Sequence, residues 1–83
     1  MMEKLTLYHM STCMFCVKVR NFMKEHCIEI EMKDVGEDSE AYDELMRIGG
    51  KTQVPCLVIN GKSLYESLDI IDWLEKNKVV SNG

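Results

Sequence analysis

The residues best equipped for chemistry are two cysteines three positions apart, Cys13 and Cys16, in the stretch Ser11-Thr12-Cys13-Met14-Phe15-Cys16. A C-x-x-C pair can clamp a metal, staple the chain, or cycle between dithiol and disulfide. A zinc site needs two further ligands, as a second C-x-x-C or a pair of spaced histidines, and the sequence holds neither. His26-Cys27 ends the following helical stretch roughly 15 Å from Cys13 at ~1.5 Å rise per residue, too far to close a site. A structural cross-link over so short a loop would restrict the unfolded chain little. Redox chemistry is what these residue types at this spacing favour. The remaining cysteines, Cys27 and Cys56, are expected to be small buried hydrophobes.

The pair must be positioned by the elements around it. Residues 5–8 are a short apolar run, read as a buried strand. Residues 14–26 then place Phe15, Val19, Phe22 and Met23 on one helical face. Cys13 therefore falls at a helix N-terminus, where unpaired N–H groups and the helix dipole stabilise a thiolate. Cys16 follows inside the first turn on the same side, placed to resolve a disulfide made by Cys13. Lys18 adds a solvated positive charge nearby.

Residues 28–33 alternate apolar and charged, as a half-buried strand does. Residues 36–39 form a loop able to cap a helix over 40–48, with Tyr42, Leu45 and Met46 inward and Gly49-Gly50 as its stop. Residues 54–59 are the most apolar strand, and Asn60-Gly61 is a strong hairpin signal that returns residues 62–65 antiparallel. Ser67 can cap a last helix carrying Ile70, Ile71 and Leu74 on one face, and residues 81–83 are expected to fray. The order is β-α-β-α-β-β-α, and the first β-α-β unit demands parallel strands. One α/β domain over residues 1–83 is expected, a four-stranded mixed sheet flanked by three helices with the first strand central.

The 83 residues are 46 % hydrophobic and carry 10 basic against 14 acidic side chains, net −4. A mixed, mildly acidic surface does not attract phosphate backbones, so nucleic acid is not an expected partner. No apolar run reaches the ~18 residues of a membrane span, and the N-terminal residues lack the build of a signal peptide. The expected location is cytoplasmic, where thiols are kept reduced. Pro55, the only proline, stands at the start of the most apolar strand. It must occupy a strand start or edge, as an ordinary trans proline or as a cis turn that exposes the preceding backbone to an extended peptide.

The element order, the C-x-x-C at the first strand–helix junction and Val54-Pro55 before the third strand resemble a glutaredoxin of the thioredoxin fold. The resemblance spans residues 5–78. It is carried by Thr12-Cys13-Met14-Phe15-Cys16, Thr52-Gln53-Val54-Pro55 and Tyr65-Glu66-Ser67-Leu68-Asp69. It implies that Cys13 attacks a glutathione mixed disulfide and that Cys16 resolves protein disulfides. It implies that Phe15 flanks the bound tripeptide, and that Gln53, Val54 and a cis Pro55 help to hold it. Glutathione is then the co-substrate, glutathionylated or disulfide-bearing proteins are the partners, and a monomer without metal is the expected form.

Three positions depart from the family pattern. Met14 stands where proline is common and restores a backbone N–H near the sulfur. Met10 replaces a basic residue. Tyr65-Glu66-Ser67 replaces paired glycines and resembles the Glu-Ser of glutathione transferase N-terminal domains, which implies that Glu66 and Ser67 hold the γ-glutamyl end. Lys51 is a further candidate for a glutathione carboxylate. Met14 leaves open an iron–sulfur carrier, with a two-iron, two-sulfur cluster held between two subunits by Cys13 and glutathione. A thioredoxin-like reductant served by a flavoprotein reductase is the other rival. A complete glutathione transferase is disfavoured, since 83 residues leave no room for its helical domain.

Overall fold

The computed structural model describes residues 4–77. Along the chain come β1 (Leu5–His9), α1 (Met14–Glu25), β2 (Glu31–Asp34), α2 (Ser39–Gly49), β3 (Cys56–Ile59), β4 (Lys62–Tyr65) and α3 (Ser67–Lys76). The strands lie in the order β2-β1-β3-β4, with β1 parallel to β2 and antiparallel to β3. β4 returns antiparallel on β3. This is the thioredoxin-like α/β arrangement, and β1 is interior as expected.

Side chains alternate across each strand, so consecutive residues enter different cores. Leu7 and Leu57 pack beneath α1 and α3 with Val19, Met23, Ile28, Ile70 and Leu74. Tyr8, Cys56 and Val58 face α2 with Val35, Ala41 and Leu45. Local signals end the elements. Asp38 caps α2, its carboxylate accepting from the Glu40 and Ala41 N–H groups at 3.0 and 3.3 Å. Asn60 and Gly61 both take positive φ, 50° and 87°, which suits a tight hairpin to the twist of its strands.

Several expectations need correction. The inward stripe of α1 is Cys16, Val19 and Met23, whereas Phe15 is 61 % exposed. Residue 15 lies about 100° around the helix from residue 16, and the small thiol takes the core position. On α2 the buried pair is Ala41 and Leu45, while Tyr42 and Met46 are each 44 % exposed. The i, i+4 pair meets the sheet, and its flanking positions turn away. β2 begins at Glu31 because the chain is still closing α1 at residues 27–28. Cys27 is left-handed (φ 54°), and the Ile28 N–H reaches back to the Met23 carbonyl at 2.8 Å. That closure seats Ile28 in the core and leaves Cys27 exposed rather than buried. β3 likewise starts at Cys56, two residues later than expected. The expected fraying over 81–83 lies outside the described residues. No helix among the described residues is long and apolar enough to cross a membrane.

Candidate active site

A short loop carries the chain from the end of β1 into α1, and Cys13 is the extended residue at the helix N-cap (φ −83°, ψ 121°). Its N–H donates to the Met10 carbonyl at 3.2 Å, and its own carbonyl accepts from Val17 at 3.0 Å. The Cys13 thiol is partly exposed and points at the Val54 carbonyl oxygen, 3.9 Å away. Burial pulls this thiol upward. The Cys16 N–H, the Cys16 thiol, the Phe15 N–H and the charge of Arg20 outweigh it and hold Cys13 below the ordinary thiol range. The N–H groups acting on the sulfur are thus those of Phe15 and Cys16, in the first turn of the helix.

Cys16 is completely buried and its sulfur accepts from the Met10 N–H at 3.4 Å. Burial pushes its thiol up to about 11; the Met10 N–H and Arg20 oppose the rise, and Cys13 adds to it. The pair is chemically unequal. One sulfur is reachable and biased toward the thiolate, and the other waits behind it as a thiol.

Beside Cys13 lies an open cavity of about 260 Å³, lined by Phe15, Gln53, Val54, Pro55, Glu66 and Ser67. Six residues singled out in the sequence, from three separate segments, meet here. The Val54–Pro55 peptide bond is cis. The Gln53 amide donates to the Glu66 carboxylate at 3.2 Å. Glu66 holds φ 71° and ψ 121° at the N-cap of α3 without making a side-chain cap bond. Such a conformation costs a non-glycine residue ~1–3 kcal/mol and tends to mark a functional position. Ser67 is the buried first residue of α3, not its cap as expected, because Glu66 takes that place. The opening turn of α3 leaves backbone N–H groups without intrahelical partners next to the cavity.

Lys51 does not line this cavity; its ammonium sits over the Tyr65 ring, 4.3 Å from the centroid. The cation that acts on both thiols is Arg20, not Lys18. No motif announces Arg20, although its i+4 spacing from Cys16 places both on one side of α1. Cys56 is fully buried on the α2 side, with burial pushing its thiol up, which fits the packing role expected of it. A larger cavity of about 340 Å³ opens over β1, β2 and α2, lined in part by Thr6, Tyr8, Lys33 and Glu44. It holds no thiol among its lining residues. Lys33 pairs with Glu44 at 2.6 Å, and the Tyr8 hydroxyl donates to the same carboxylate at 2.9 Å.

Residues 5–64 match the family model described as Glutaredoxin. Among solved structures, the thioredoxin-like protein BC3987 is 26 % identical, with 86 % of this chain and 99 % of that one covered and a TM-score of 0.73. A buckwheat glutaredoxin–glutathione complex is 16 % identical over 93 % of this chain and 73 % of its own, with a TM-score of 0.69. A glutathione transferase homologue from Drosophila mojavensis with bound glutathione is 18 % identical, with a TM-score of 0.75 over 92 % of this chain and 36 % of its own. At those identities the last two show a shared fold alone. No curated protein matches the chain.

Proposed function

Since the chain belongs to the glutaredoxin family, whose fold and membership support a glutathione-related thiol oxidoreductase, we propose that it reduces glutathione mixed disulfides and protein disulfides with glutathione as co-substrate. The observation that carries this reading is the meeting of the Cys13 sulfur, 3.9 Å from the Val54 carbonyl, with the cavity lined by Phe15, Val54-Pro55 and Glu66-Ser67.

The Cys13 thiolate attacks the glutathionyl sulfur of a mixed disulfide. A Cys13–glutathione disulfide forms, and the substrate sulfur leaves as a thiolate. A second glutathione thiolate then attacks the glutathionyl sulfur, releasing glutathione disulfide and restoring the Cys13 thiolate. On a protein disulfide, Cys13 forms a mixed disulfide with one substrate sulfur. Cys16 gives up its proton and displaces that sulfur, leaving Cys13–Cys16 oxidised for two glutathione molecules to reduce. No organic redox cofactor enters either cycle.

The groove gives each part of the tripeptide a partner. The Val54 backbone, whose carbonyl lies 3.9 Å from the Cys13 sulfur, pairs with the cysteinyl unit. The Glu66 carboxylate accepts from the γ-glutamyl ammonium, having acceptor sites left beyond its bond to Gln53. The free N–H groups at the start of α3 receive the γ-glutamyl carboxylate beside Ser67. Phe15, which lines the same cavity, flanks the tripeptide. The reading places the chain in the cytoplasm as a monomer acting on glutathionylated or disulfide-bearing proteins.

Trapping the intermediate tests it. A Cys16→Ser chain mixed with glutathione disulfide should gain the mass of one glutathionyl group, mapped to Cys13, and lose it on adding glutathione. A chain that turns over with a flavoprotein reductase but forms no such adduct would overturn the proposal.

A further inference from the structure

Arg20, two turns into α1, makes three contacts with the segment that delivers Cys13. Its Nη1 donates to the Met10 carbonyl at 3.1 Å and meets His9 Nδ1 at 3.0 Å, and its Nη2 donates to the Ser11 carbonyl at 3.4 Å. The Met10 carbonyl also accepts the Cys13 N–H, and the Met10 N–H bonds the Cys16 sulfur. One peptide segment is therefore tied to α1 by the guanidinium at one point and by both cysteines at others. We propose that Arg20 is a positioning residue for the Cys13 nucleophile: its permanently charged guanidinium clamps the 9–11 segment, which carries hydrogen-bond partners of both cysteines, against α1.

The chemistry of the contacts favours a guanidinium. Two carbonyl oxygens and an imidazole nitrogen all need a donor, and a planar fork reaches separate acceptors without reorganising. An arginine has no acceptor, so His9 Nδ1 must accept with its proton on Nε2, which requires the neutral ring. Burial and then the Arg20 charge hold His9 below the usual imidazole range, against the pull of Asp34 paired across from it on β2. The contact thus adds no second cation at neutral pH. Met10 is apolar, so the loop itself brings no charge to the sulfurs.

This inference rests on Cys13 being the nucleophile, and the test separates the two. The rate of Cys13 carbamidomethylation by iodoacetamide, followed on the Cys13 peptide by mass spectrometry, is measured against pH for the native chain, Arg20→Lys and Arg20→Met. Arg20→Met should move the midpoint upward and slow the reaction at pH 7 by about three- to tenfold. Arg20→Lys, which keeps the charge but not the fork, should recover part of that loss. A native-like midpoint in Arg20→Met overturns the role of Arg20 while leaving the nucleophile intact. An ordinary midpoint in the native chain overturns the nucleophile itself. Should Arg20→Met not fold, a midpoint in Arg20→Lys equal to the native one, together with equal reactivity at pH 7, overturns the clamp, and a partial shift supports it.

Discussion

Two thiols stand close in sequence or space to the Val54–Pro55 bond and have opposite chemistry. Cys13 approaches from the N-terminus of α1, partly exposed, with helix N–H groups and Arg20 favouring its anion. Cys56 follows Pro55 directly but turns into the α2-side core, wholly buried among Tyr8, Leu45 and Val58. Burial alone decides its state, raising its thiol despite weaker opposing contacts from Tyr65, Leu64 and Lys51. Proximity to that bond therefore does not favour the thiolate. A helix terminus and exposure do, and the alternation along β3 denies Cys56 both.

The strongest way to break the comparison is to exchange the sulfurs for inert atoms. Cys13→Ser should lower turnover of a glutathionylated peptide by at least about a thousandfold, since the proposed nucleophile is lost. Cys16→Ser should keep much of that activity, and Cys56→Ala should leave it within about twofold, since neither sulfur enters the proposed monothiol step. A comparable loss in Cys56→Ala would erase the distinction drawn between the two regions.

Tyr65 joins those regions, packing on the Cys56 cluster while leading into Glu66. A Cβ at Gly49 would overlap its buried hydroxyl. Gly49→Ala should destabilise the chain by about 1–3 kcal/mol through overpacking, read from urea midpoints, and Tyr65→Phe should recover most of it. Failure of that rescue would place the conflict elsewhere. On the Cys13 side, Glu66→Ala should raise KM for glutathione about tenfold with kcat little changed, the mark of lost ground-state binding.

The smallest effect concerns the face without a reactive thiol. The bond from Lys33, followed by that from the Tyr8 hydroxyl, holds the Glu44 carboxyl below its ordinary 4.5, against the opposing effect of burial. In the pH window between the folded and unfolded values, the unfolded chain binds more protons. The stabilisation is thus complete above about pH 4.5 and fades as pH falls through the folded value. Unfolding midpoints against pH should show this fall, and Glu44→Gln should flatten it while leaving glutathione turnover unchanged.

What the sequence makes legible is local. Asn60-Gly61, the Gly50 stop and Cys13 at a strand–helix junction each follow from conformational preferences of a few neighbouring residues. The facing of helices is less so, because periodicity defines a stripe without saying which flank meets the sheet. Phe15, Tyr42 and Met46 turned outward for that reason. Cys27 occupies a left-handed slot more typical of glycine or asparagine, so nothing in its type signals exposure. The groove depends on residues 15, 53–55 and 66–67 converging through the fold, and resemblance rather than spacing assembled that set. The positive φ of Glu66 runs against its intrinsic preference, and Arg20 acquires partners only once residues 9–11 fold back on α1.

The central claim is that the Cys13 sulfur is accessible and biased toward the thiolate, while those of Cys16 and Cys56 are neither. Iodoacetamide labelling of the reduced chain, resolved by cysteine and followed across pH, tests it directly. Cys13 should react with a midpoint clearly below the ordinary thiol value of 9.0, with Cys16 and Cys56 protected until the chain unfolds. A Cys13 midpoint at or above 9.0, or labelling of Cys16 or Cys56 at a matching rate in the folded chain, would contradict the account.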